Sequence, residues 1–177
     1  MAEGLEIQRQ TYGDVLVLRL AGNITEDSQI DLIAKDMLSK VAIDLHGVRR
    51  INSYGIRQWV NVMKEIHRQG HELVFHRCPP AFVEQFNMIS NFGGGGTVYS
   101  FYLPFYCETC GTEELKLYEL PDGRTPTQTP ALPSASCSKC TKALAFNDIE
   151  DEYFYFLQHQ KGKSVDPSIV AVLKKLT

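Results

Sequence analysis

The stretch IDLHGVRRINSYGIRQWVNVMKEI, residues 43–66, decides the fold. An apolar run ends at Leu45, a polar turn follows, and apolar residues return at Ile56, Trp59, Val60, Met63 and Ile66 with the spacing of one helix face. A strand, a turn and an amphipathic helix are expected. Asn52, Ser53 and Gly55 occupy the junction. Asn or Ser can cap the N–H groups that open the helix, and Gly55 eases close packing. A hydroxyl at an exposed helix start can also carry a phosphate, whose charge a helix N-terminus tolerates. The local sequence leaves both readings of Ser53 open.

Upstream, residues 5–21 read as two strands joined by a Tyr12-Gly13-Asp14 turn. After Gly22, Thr25 or Asp27 is a candidate cap, and Ile30, Ile33, Ala34 and Met37 follow at helical spacing, so a helix is expected. VAIDL, residues 41–45, is a short run suited to a sheet interior, and Gly70 stops the helix that begins near Tyr54. HELVFH, residues 71–76, is the next strand. Pro79-Pro80 then opens a helix with Phe82, Val83, Phe86 and Ile89 on one face. Glycines 93–96 precede a strand, not the helix start that a phosphate loop needs, so a flexible turn is expected. TVYSFYLPFY, residues 97–106, has the content of a last strand. This alternation implies an α/β domain, a sheet covered on one face by helices.

At Cys107 the composition changes. GTEELKLYEL alternates Leu115, Leu117 and Leu120 with charged residues, as a half-buried strand would. Residues 121–136 are rich in Pro and Thr and read as a loop. A short strand at 143–146 follows, and DIEDEYFYFLQ half fits both the helix and the strand period, with a helix capped by Asp148 the preferred reading; a terminal amphipathic helix opened by Asp166 and Pro167 completes the chain. The expected organisation is a domain over 1–104 and a smaller one over 105–177.

Cys107-x-x-Cys110 and Cys137-x-x-Cys140 form two thiolate pairs. Two such turns can close a tetrahedron round one Zn²⁺, with Gly111 favouring the knuckle shape. A zinc ribbon is the reading. A redox dithiol needs only one pair, and iron–sulfur clusters use other spacings. Four cysteine ligands leave no open coordination position, so the zinc is structural. Cys78 reads as a small apolar residue at a strand end.

The chain has 177 residues with a formal net charge of −3, enough for one ordinary domain plus a small one. Its start lacks a signal peptide and no stretch reaches the length of a membrane span, which makes a cytoplasmic protein the expectation, with no membrane partner. Residues 107–177 hold 8 basic and 10 acidic residues, and zinc-bound thiolates add negative charge. That balance disfavours nucleic acid and favours a protein partner. The histidines at 46, 67, 71, 76 and 159 show no ligand spacing and are expected at the surface or a sheet edge. No catalytic motif is present, so an enzyme is not expected.

LAGNIT before the first expected helix and AIDLHGVRRINSYGI across the third strand resemble the STAS domain of anti-sigma-factor antagonists and sulfate-transporter tails. Asp44, Leu45, Gly47, Val48, Ile51, Ser53 and Gly55 fit the family pattern in register, while Asn52 replaces the usual Asp and Tyr54 a small residue. The resemblance implies a mixed sheet and a regulatory, protein-binding role in signalling. It makes Ser53 the candidate for phosphorylation by a partner kinase, with Asn52, Ser53, Tyr54, Arg49 and Arg50 as the candidate partner-binding residues. A scaffold that is never phosphorylated and a ribbon that binds nucleic acid are the alternatives. Homo-oligomerisation stays open.

Overall fold

The computed structural model describes residues 4–177. Its first sheet holds β1 (Glu6–Tyr12), β2 (Val15–Ile24), β3 (Lys40–Ile51), β4 (Glu72–His76) and β5 (Thr97–Val98), side by side in chain order. β1 and β2 pair antiparallel and the other neighbours are parallel, so the sheet is mixed. Parallel neighbours require crossovers. α1 (Ser53–Arg68) connects β3 to β4, and α2 (Pro80–Met88) leads from β4 towards β5. Trp59, Met63 and Ile66 supply the buried face of α1. The Trp59 ring meets Phe82 edge-on at 5.1 Å, and its indole N–H donates to the Phe92 carbonyl at 2.9 Å, which satisfies the polar end of a fully buried side chain.

Several expected elements take another form. The helix after Gly22 is only a 3-10 turn, Ile30–Ala34. It is confined between a turn at Ser28, whose hydroxyl accepts from Thr25 N–H, and Asp36, where φ is 47°. The Arg9 guanidinium takes up the carbonyls of Leu32, Lys35 and Asp36 that a longer helix would have used. β3 does not stop at Leu45. Its continuation through HGVRRI pairs with Ala21 to Ile24 of β2, and Gly47 is needed there because a Cβ would lie 2.7 Å from the Ala21 Cβ. The glycine run 93–96 is closely packed. A Cβ at Gly94 would run into the Met63 carbonyl, and one at Gly96 would lie 2.8 Å from the Phe75 ring.

The expected last strand divides at Tyr99. Only Thr97–Val98 joins the first sheet; β6 (Ser100–Tyr106) runs between β7 (Glu113–Glu119) and β8 (Ala145–Phe146) in an antiparallel second sheet. Cys78 joins the two sheets, donating its N–H to Ser100 at 3.0 Å and accepting from Tyr102 N–H at 2.9 Å. In β7, Leu115 is exposed and Leu117 half-buried, and Leu120, just past the strand's end, is fully buried. The helix expected over residues 148–158 forms as α3 (Glu150–Tyr153) and α4 (Tyr155–His159), broken at Phe154.

Val15 to Leu18 and Val41 to Leu45 are buried in succession, which in a strand requires cover on both faces. α1 and α2 cover the face that carries Phe75. The other face carries Lys40 and Glu72, and the terminal helix α5 (Pro167–Leu173) closes over it. Lys40 Nζ lies 2.9 Å from Ser168 Oγ and 3.1 Å from Asp166 Oδ2, and Asp166 N–H donates to Glu72 at 3.1 Å. One apolar core therefore runs from the first sheet through Phe101 and Tyr153 to Ile169 and Leu173.

Candidate functional site: a four-sulfur centre and an exposed helix start

Two loops present the paired cysteines. Cys107 lies just after β6, and its N–H donates to the Thr112 carbonyl at 2.9 Å while Gly111 N–H returns to the Cys107 carbonyl at 2.8 Å. The second loop repeats this closure, with Cys137 N–H to Lys142 at 2.8 Å and Thr141 N–H to Cys137 at 2.9 Å. Each loop turns through a positive φ after its second cysteine, 71° at Gly111 and 61° at Thr141. Thr141 is strained there, since a β-branched residue rarely adopts that conformation.

The closures bring Cys107 Sγ to 3.4 Å from Cys140 Sγ and Cys110 Sγ to 3.6 Å from Cys137 Sγ. All four sulfurs lie within 4.8 Å of one another. A tetrahedral ion with metal–sulfur bonds of about 2.3 Å needs sulfurs about 3.8 Å apart, so the donor set fits a metal ion. Glu114 of β7 braces the second loop. Its carboxylate accepts from Ser138 N–H at 2.6 Å and from the Lys116 ammonium at 2.7 Å, and Lys116 above all draws its carboxyl down to about 2. Such outer contacts fix ligand orientation.

At the start of α1 the cap is Asn52. Its Oδ1 accepts from Gly55 N–H at 2.8 Å, its Nδ2 donates to Glu26 at 2.7 Å, and its backbone N–H donates to Ile24 at 3.1 Å. Gly55 is buried against β2, and the position needs glycine because a Cβ would run into the Ile24 carbonyl. Ser53 and Tyr54 remain exposed, Tyr54 with half its surface in solvent. Arg49 and Arg50 are both exposed, at a register shift where Gly22 pairs with Val48 and Asn23 with Arg50, so that Arg49 is the extra residue of a bulge. Arg49 lines a shallow groove with Gly22, His46 and Gly47.

A buried polar cluster had no sequence signal. Asp44, 2% exposed, pairs bidentately with Arg77, whose φ is 51° and whose Nε lies 3.0 Å from Asp44 Oδ1. His76, expected at the surface or a sheet edge, is fully buried beside this pair, with Nδ1 2.6 Å from Ser100 Oγ. Burial pushes its imidazolium pKa down to about 4. The pattern IDL and the later HRC are far apart in sequence, and only the parallel pairing of β3 with β4 places Asp44 opposite His76.

Among the described residues no helix is long and apolar enough to cross a membrane. A search of curated proteins finds no match to the chain. Residues 6–93 match the family model of the STAS domain, a span that runs from β1 to the first glycine of the packed turn and takes in α1 and α2 but none of the four clustered cysteines. The chain thus carries a STAS domain at residues 6–93, followed by a second sheet with a four-cysteine cluster that could hold a metal ion.

Proposed function

We propose that the protein is a regulatory docking module of the cytoplasm, not an enzyme, in which the start of α1 receives a protein partner. The observation that carries this reading is the division of labour at that turn: Asn52 does the capping, so Ser53 and the exposed ring of Tyr54 are left for contact. Arg50 sits beside them in sequence and can engage an acidic partner or a phosphate. STAS domains act through protein contacts, and membership supports the assignment. Phosphorylation of Ser53 by a partner kinase is the proposed switch, because it would add about −1.5 to −2 charges to the docking turn.

Glu26 favours a second reading, a scaffold that is not phosphorylated. Its carboxylate is fastened to Asn52 next to Ser53, so a phosphate there would meet a like charge. The four-sulfur centre is proposed to hold one structural Zn²⁺ that fastens the two cysteine loops beside β6. A photo-crosslinking residue at position 54 tests docking in cells. A discrete protein adduct is expected; no adduct at 54, with an exposed control position behaving alike, contradicts it. Intact-mass measurement of the native protein decides between the switch and the scaffold.

A further inference from the structure

Between the C-terminal end of α2 and α4 lies a groove of about 560 Å³. Pockets for small molecules run from about 300 to 1,000 Å³. Phe86 and Phe156 form apolar walls, and Met88, 71% exposed, and Tyr155, 46% exposed, stand at its rim. No aspartate or glutamate lines it, although the chain has 21 acidic residues, whereas Lys163 and His159 do. Lys163 Nζ donates one proton to the Gly95 carbonyl at 2.8 Å and keeps the others for a ligand. Partial burial lowers the Lys163 pKa, a desolvation cost that an anion would offset.

The groove cannot receive an extended peptide by strand pairing. The Gln160 side chain already occupies the edge of β5, accepting from Val98 N–H and donating to the Val98 carbonyl, both at 3.0 Å. Nor does the groove share the docking turn. It lies by the far end of α1, where a Cβ on Gly95 would be 2.8 Å from the His67 ring, about 20 Å along the helix from Ser53.

We propose that this groove binds a small amphipathic anion, its apolar body against Phe86, Met88 and Tyr155 and its single anionic head at Lys163 and His159. The body can be an acyl chain or an aromatic ring system, and the test separates them. The full chain, labelled at its methionine methyls, is titrated with decanoate and with 2-naphthoate, and in parallel with the uncharged amide of each. The Met88 methyl signal should shift saturably with at least one anion while that of Met37 stays still; the responding probe names the body. The amides and the Lys163→Gln variant should bind about tenfold more weakly, the loss expected for a hydrogen bond to a charged group. Tyr155→Glu, a change at an exposed position, should abolish the shift and serves if Lys163→Gln is unstable. A Met88 signal unmoved by either anion up to millimolar concentration overturns the proposal. So does equal binding of acid and amide, or unaltered binding by the folded variants.

Discussion

The Asn52 carboxamide oxygen accepts the Gly55 N–H at 2.8 Å, and this one contact separates the structural residue of the turn before α1 from the residue proposed for docking. Were Ser53 the cap, its hydroxyl would be tied inward. With Asn52 also holding Glu26 at 2.7 Å, the turn is fixed before Ser53 contributes anything.

Asn52→Ala should therefore cost about 0.5–2 kcal/mol of stability through the lost cap. Ser53→Ala should change stability by less than about 0.5 kcal/mol, as expected at an exposed site outside such a feature. Urea denaturation of the two variants measures both. A larger loss for Ser53→Ala would make Ser53 the cap.

The cysteine cluster should contain one zinc ion per chain by elemental analysis. Cys107→Ser should lose it and free the remaining thiols to react. Because α5 is anchored independently by Lys40 and Glu72, hydrogen exchange should rise at residues 107–146 while Trp59 stays buried. Native protein free of zinc, with thiols equally reactive before and after chelation, would refute the assignment.

Gly94→Ala should be severely destabilising, by about 2 kcal/mol or more, because it adds a clash to a positive φ. Here φ is 53° and the obstructing group is the Met63 backbone carbonyl, which cannot move aside as a side-chain tip could. Gly13→Ala is the control, since its φ of 61° is similar but nothing lies within 4 Å. Thermal melts should rank Gly94→Ala well below Gly13→Ala.

The parts legible in the sequence were those set by local chemistry. The Cys-x-x-Cys pairs specify their own loops, the Trp59-Met63-Ile66 spacing specifies a helix face, and Asp166-Pro167 marks a helix start that the structure keeps. What escaped depends on distant partners. HGVRRI reads as a turn until β2 is long enough to pair with it. The 97–106 run reads as one strand until Cys78 draws its second half into another sheet. The glycines 93–96 look mobile until α1 is packed against them. The candidate turn was legible as a segment, but the capping role was shared between Asn52 and Ser53 until hydrogen bonds assigned it.

His76 supplies a pH test. An unfolded histidine titrates near 6.5 and the buried one near 4, with Asp44 opposing and Arg77 and His46 reinforcing the desolvation. Between these values the unfolded chain binds the extra proton, so stability should be full above about pH 6.5 and fall as pH drops towards about 4. His76→Gln should flatten that slope in urea titrations from pH 7 to 4. Asp166, held near 2 first by Ser168 and then by Lys40, contributes only in a lower window: its stabilisation is present above the unfolded carboxylate value, about 3.9, and is lost as pH falls towards 2. An unchanged slope in His76→Gln would mean that His76 is not titrating as a buried base.

The central claim, that the start of α1 is a docking site controlled by charge at Ser53, is tested most directly by partner affinity. The protein crosslinked at position 54 is identified, purified, and titrated against the wild-type chain, Ser53→Ala and Ser53→Asp. Since Asp is tolerated at a helix start, thermal stability should be alike in all three. The account predicts that Ser53→Ala binds within about twofold of wild type and Ser53→Asp at least about tenfold more weakly, a difference of about 1.4 kcal/mol. Equal affinity of all three chains for that partner would contradict it and leave Ser53 a surface residue with no part in recognition.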